Sequence, residues 1–187
     1  MKGCGVSVVF CPFAKRTPTL NRRAQEERKQ DGELGKRSLT VEGTKLYEND
    51  RVLFTKNSRL YGVKNGNFGT IEAIDERNEV LKAKLDSGER VNINTRQYPN
   101  VQLGYAITTH KGQGATVEKS FVLSGGEMLD RELAYVQSSR ARGETRIYTD
   151  RNETGDLIAT LAQQMNKSRQ KDLAVDLVRG REQGLTR

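Results

Sequence analysis

Between Tyr105 and Thr116 the sequence reads Tyr-Ala-Ile-Thr-Thr-His-Lys-Gly-Gln-Gly-Ala-Thr. An apolar start followed by Thr108, Thr109, His110 and Lys111 puts two hydroxyls, an imidazole and a cation at the end of a short strand. Two glycines then flank Gln113. Hydroxyls and backbone N–H groups at a strand-to-helix turn suit phosphate oxygens, and glycines such as Gly114 let a backbone approach a ligand closely. Downstream, Tyr135-Val-Gln-Ser-Ser-Arg-Ala-Arg sets Arg140 and Arg142 near the end of an expected helix over 130–141. A guanidinium there complements the helix dipole or reaches a phosphate across a cleft. A third set lies between Arg51 and Thr70, which holds Arg51, Lys56, Arg59 and Lys64 and no acid, with Tyr61 and Phe68 as aromatic faces for base stacking. On the residues alone, plainer roles stay open. His110 can be a capped surface histidine, Arg140 can pair with Asp130 or Glu132, and Lys56, Arg59 and Lys64 can be a solvated face.

These groups need a scaffold, and the chain's 187 residues allow one or two small domains. Lys and Arg exceed Asp and Glu by 8, a balance that favours a polyanionic partner. The surplus sits in the flanks: Lys15–Arg37 is net +4, Ser38–Gln137 is neutral, and Ser138–Arg187 is net +3. Cys4 and Cys11 are the only cysteines, which reads as a reduced, cytoplasmic chain and excludes a four-cysteine zinc site. The single His110 excludes a three-histidine metal centre, and no metal site is expected. No apolar run approaches the roughly 18–20 residues of a membrane span.

The periodicity predicts a buried strand in residues 1–12 ended by Pro12, a helix over 19–31 stopped by Gly32 and Gly35, and a polar linker over 36–45. From 46 to 95 the period becomes that of short strands. Arg51 to Thr55, Phe68 to Ile74, Val80 to Leu85 and Arg90 to Asn94 are separated by the turn signals Asn65-Gly66, Asp75–Asn78 and Asp86–Gly88. Four or five short strands in about 50 residues predict a small barrel of the SH3 type. Strands at Tyr105–Thr109, Lys119–Leu123 and Thr145–Thr149 around a helix predict an α/β layer. Apolar spacing predicts a tail helix over 154–178.

At the stretches 105–116 and 135–142 the sequence resembles superfamily 1 DNA helicases of the RecD-like branch, and more closely the conjugative relaxase-helicases of the TraA/TrwC/TraI type. Leu20-Asn21 with Ala24, Gly32-Glu-Leu-Gly35, Asn49-Asp50-Arg51-Val52, Gly62-Val-Lys-Asn-Gly66 and Gly69-Thr70 follow the same family pattern. The resemblance covers about residues 17–150. It implies a mixed α/β fold, a RecA-like helicase domain interrupted by an SH3-like barrel. The expected organisation is an N-terminal segment over 1–45, the barrel over 46–98, a segment with helicase motifs V and VI over 99–150, and a helical tail over 151–187. It implies that Arg140, as arginine finger, contacts the γ-phosphate of ATP, with Gln113 and Gly114 beside the nucleotide. Thr108, Thr109 and His110 would touch the single-stranded DNA backbone. Relatives often carry a Glu after the Gln-Gly pair to hold the ribose, and this chain departs from that pattern with Ala115-Thr116.

A phosphate loop, Gly-x-x-x-x-Gly-Lys-Ser/Thr, is needed to cradle the β- and γ-phosphates. Gly32-Glu-Leu-Gly35-Lys36-Arg37-Ser38 misses that spacing and follows no strand. Ile71-Glu-Ala-Ile-Asp75-Glu76 imitates the acid-ended strand that holds Mg²⁺, but Glu72 breaks the apolar run and the segment belongs to the barrel. ATP and Mg²⁺ are therefore expected only in a complete helicase, with a partner half supplying the Walker A and B motifs. The resemblance implies the C-terminal part of such an enzyme, active in plasmid transfer. The residues also admit a stand-alone nucleic-acid-binding module or an inactive remnant.

Overall fold

The computed structural model describes residues 7–11, 14–108, 111, 117–124, 141–149 and 163. The apolar run after Gly5 forms strand β1 (Ser7–Cys11), with Val8, Phe10 and Cys11 buried. A strand with no polar alternation is covered on both faces, the signature of a parallel sheet. Among the described residues three further strands join that sheet: β9 (Ala106–Thr108), β10 (Val117–Ser124) and β11 (Ala141–Thr149). All pair in parallel in the order β11-β10-β1-β9, with Val9 opposite both Ala106 and Phe121.

Helix α1 (Thr17–Gln30) follows β1. Pro18 sits in its first turn, where a missing N–H costs nothing. Gly32, at φ 71°, ends it. That conformation lets the Glu33 N–H reach the Arg28 carbonyl at 2.9 Å. Residues 36–45 are not the linker that their polarity predicts. β2 (Ser38–Val41) and β3 (Thr44–Tyr47) form an antiparallel hairpin. Glu42 and Gly43 both have positive φ, the two-residue turn that matches strand twist. Val41 and Leu46 are the buried face of that hairpin.

A five-stranded antiparallel sheet comes next: β4 (Arg51–Phe54), β5 (Phe68–Asp75), β6 (Val80–Leu85), β7 (Arg90–Asn94) and β8 (Val101–Leu103), ordered β7-β6-β5-β4-β8. The alternation in β6 and β7 is clean, with Leu81, Ala83, Leu85, Val91 and Ile93 inward. β8 lies beyond residue 98, so this sheet runs past the expected end of the barrel. Its core holds Val52, Phe54, Ile71, Ile74, Leu81 and Ile93. Leu53 and Phe68 join a second cluster with Val8, Phe10 and Ile107 of the parallel sheet. β4 therefore belongs to both cores.

The link from β8 to β9 passes directly over β4. The Gly104 N–H donates to the Arg51 carbonyl at 2.8 Å, and a Cβ on Gly104 would lie 2.9 Å from the Val52 carbonyl carbon. Only glycine permits that approach. The helix expected over 130–141 is corrected at one end, because Ala141 opens β11. Its remaining residues and the tail helix over 154–178 lie outside the described residues, Gln163 excepted. Among the described residues no helix is long and apolar enough to cross a membrane.

Candidate nucleic-acid interface

The strand that carries Thr108 is held by one buried amide. Asn21, on the inward face of α1, accepts the N–H groups of Tyr105 and Ala106 at 2.9 Å each and donates to the Ala106 carbonyl at 2.7 Å. Its second donor bond reaches the Thr17 carbonyl one turn back. All of its capacity is used, as a buried side chain requires. The clamp fixes where β9 leaves the sheet. At its end Thr108 lies opposite Cys11, and its hydroxyl oxygen accepts the Lys111 N–H at 3.3 Å. The hydroxyl proton stays available to a phosphate oxygen.

A second polar knot joins α1 to the antiparallel sheet. The Tyr105 hydroxyl donates to Asp50 Oδ1 at 2.6 Å and accepts from Arg28 Nη1 and the Arg51 N–H. Asp50 also accepts from Gln25 Nε2 and the Tyr47 N–H. Burial pushes the Asp50 carboxyl above the usual range, and these hydrogen bonds pull it part of the way back. Burial, with the Asp50 carboxylate beside it, raises the Tyr105 phenol strongly. Sequence reasoning noted Asn21 and Asp50 only as family-like residues and assigned Tyr105 to a strand. A buried network has no periodic signal that could have revealed it.

The cationic segment is the loop between β4 and β5. Lys56, Arg59 and Lys64 are exposed there and make no ion pair among the described residues. Two expectations about this segment are corrected. Arg51 is buried and forks onto Asp86, with Nη1 to Oδ1 at 2.6 Å, so it is no free cation. Phe68 is 5% exposed, packed into the second core beneath the Arg51 guanidinium, and offers no face to a base. Tyr61 is half-buried, edge-on to Tyr98, and its hydroxyl donates to Gln97. In the acid-ended imitation, Asp75 is occupied by the Arg77 and Asn78 N–H groups of its own turn.

A cleft of about 650 Å³ opens between α1, the tip of the β2–β3 hairpin and the ends of β8 and β9. Arg22, Lys45 and Lys111 line it with Thr17, Thr44 and Thr108, against one carboxylate, Glu42. Hydroxyls and cations with little negative charge suit a phosphodiester backbone. Sequence reasoning missed Lys45, because residues 36–45 read as a linker. Thr109, His110, Gln113, Gly114 and Arg140 lie outside the described residues. Their nearest described neighbours are informative: β10 starts at Val117 and β11 at Ala141, and these two residues are partners in the parallel ladder.

No family model matches the chain. The fold is shared with solved helicases. It is similar to the Pif1 helicase from Bacteroides, crystallised with ADP-AlF3 and single-stranded DNA, with a TM-score of 0.61 at 20% identity over 98% of this chain and 47% of that one. The Pif1 helicase from Candida albicans gives 0.56 at 14% identity, over 98% and 51%. In sequence the chain is 33% identical to the conjugal transfer protein TraA of Agrobacterium fabrum over 166 residues, 87% of this chain and 15% of that protein. It is 37% identical to the probable TraA of Sinorhizobium fredii over 122 residues, 63% and 11%, and 29% identical to the multifunctional conjugation protein TraI of Escherichia coli K12 over 133 residues, 64% and 8%. In sequence the chain is therefore similar to conjugal transfer proteins of the TraA and TraI type, and it spans a small part of their length.

Proposed function

We propose that this chain is the C-terminal helicase-domain piece of a conjugative relaxase–DNA helicase, contributing single-stranded DNA contacts and an arginine finger to ATP-driven translocation in the cytoplasm. In this reading the antiparallel sheet is an SH3-like barrel inserted between neighbouring strands β1 and β9, and a partner half brings Walker A and B. Thr108, Thr109 and His110 touch the DNA backbone, with Lys56, Arg59 and Lys64 adding phosphate contacts. Gln113, Gly114 and Arg140 face the nucleotide. ATP with Mg²⁺ would supply the phosphoryl transfer, and Arg140 would balance charge that develops on the γ-phosphate.

The observation that supports this best is the pairing of Val117 with Ala141. The chain enters β10 three residues after Gly114 and enters β11 one residue after Arg140. The two described strands that follow the motif-like stretches in sequence therefore start side by side. Thr108 ends β9 at the opposite, carboxyl edge, beside the cationic cleft. That separation suits a DNA track on one edge and a nucleotide on the other.

The test is salt-dependent anisotropy of a labelled single-stranded oligonucleotide. The chain should bind with a clear log–log salt slope. Replacing Lys56, Arg59 and Lys64 together by Ala should make the slope shallower by roughly 0.7 for each phosphate no longer neutralised. An unchanged slope removes the loop from the site, and the absence of binding at low salt overturns the DNA reading.

A further inference from the structure

The loop that carries the three cations also carries an outlying apolar group. Leu60 is 79% exposed, the most exposed large hydrophobic side chain among the described residues. Single exposed leucines are common and need no explanation. This one differs because the loop beneath it is rigidly built. Leu60 sits at the tip of the turn Arg59–Gly62, closed by the Gly62 N–H to the Arg59 carbonyl. Below the tip, Ser58 and Val63 exchange both backbone hydrogen bonds, at 2.8 and 3.1 Å. Asn57 Oδ1 accepts the Asn65 N–H and Asn67 Oδ1 accepts the Lys64 N–H, each at 2.7 Å. Val63 is buried, and the Tyr98 hydroxyl donates to the Lys56 carbonyl. The loop is tied on both sides of its tip, so Leu60 is held out.

We propose that Leu60 is an apolar cap for a nucleobase at a junction of single- and double-stranded DNA, with Lys56, Arg59 and Lys64 on the phosphates either side. This rests on the nucleic-acid reading above and adds a base-contacting residue to it. An aliphatic side chain gains little from π-stacking with a lone base. Its gain comes from covering apolar area, and the open face of a terminal base pair is the largest such area a nucleic acid presents. The surrounding charge favours this occupant over an apolar protein face, because residues 55–67 contain three cations and no acid.

The test compares a single strand with a fork carrying 2-aminopurine at the pair next to the junction. The native chain should prefer the fork and change the 2-aminopurine emission. Leu60→Ala should lose the emission change and the fork preference, roughly tenfold in affinity, while single-strand affinity stays within about twofold, since the phosphate contacts are kept. Leu60→Met should retain both. If Leu60→Ala matches the native chain on the fork, the cap is wrong although DNA binding stands. If the native chain binds the strand but shows no fork preference, the cap is equally wrong. The triple Ala variant separates the two readings, since it weakens binding to strand and fork alike.

Discussion

Asp50 is a fully buried carboxylate whose three donors come from three different elements: Gln25 of α1, the Tyr47 N–H of the hairpin and the Tyr105 hydroxyl ahead of β9. Its carboxyl titrates above the ordinary value of 3.8, and burial is the leading cause. The folded chain therefore holds this proton more tightly than the unfolded chain does. The stability that goes with it is present below the unfolded value and is lost as pH rises through the raised one. Comparing urea unfolding of the native chain with Asp50→Asn from pH 4 upward isolates the effect, because the other groups cancel. The native chain should lose ground to the variant as pH rises, on the order of 1.4 kcal/mol for each unit by which the carboxyl is raised. A flat difference would mean that the hydrogen bonds fully offset the burial.

Helix α1 has only one buried residue, and it is polar. Its role is to position β9 through Asn21 and the hairpin and turn through Gln25 and Arg28, whose Nη1 also donates to the Asn49 carbonyl. An apolar stripe would pack a helix without specifying register, whereas the Asn21 amide matches two N–H groups and one carbonyl of a single strand end. Asn21→Ala leaves those buried groups without partners and should cost about 2–3 kcal/mol. Hydrogen exchange should locate the loss at the Tyr105 and Ala106 amides, while β6 and β7 stay protected. Equal protection at Tyr105 and Ala106 in the variant would remove the clamp. Helix α1 was legible in the sequence through Leu20, Ala24, the charged run Gln25 to Asp31 and the stop at Gly32. Its clamp was not, since an isolated Asn in a charged run has the pattern of a surface residue.

For the molecule as a whole, a large antiparallel insertion separates two strands that lie side by side, β1 and β9. Their adjacency depends on Leu53 and Phe68 bridging the two cores and on Gly104 letting β8 turn into β9 across β4. The insertion is therefore anchored at its exit as well as its entry, with the cationic loop on the β4–β5 pair and the Thr108 edge on the β1–β9 pair. In the proposed function the nucleotide site needs a phosphate loop, and the 187 residues contain no Gly-x-x-x-x-Gly-Lys-Ser/Thr. The purified chain should show no DNA-stimulated ATP hydrolysis above background in a coupled assay. Turnover that Arg140→Ala abolishes would overturn that expectation and with it the need for a partner half.

Local pattern determined the elements. The unbroken apolar run of β1, the alternation of β6 and β7 and the positive-φ stop at Gly32 are set by side-chain chemistry within a few residues, so they could be read directly. The motif stretches at 105–116 and 135–142 carried the resemblance to the family, because they depend on residue order. Tertiary structure decided which charges are free. Arg51 and Lys56 look alike in sequence, yet one is forked onto Asp86 under the sheet and the other faces solvent. It decided that Phe68 fills a core, that residues 38–47 fold back as a hairpin, and that Asn21, Asp50 and Tyr105 meet. Such contacts join residues distant in the chain, and burial, which sets their energy, is a property that no short window of sequence contains.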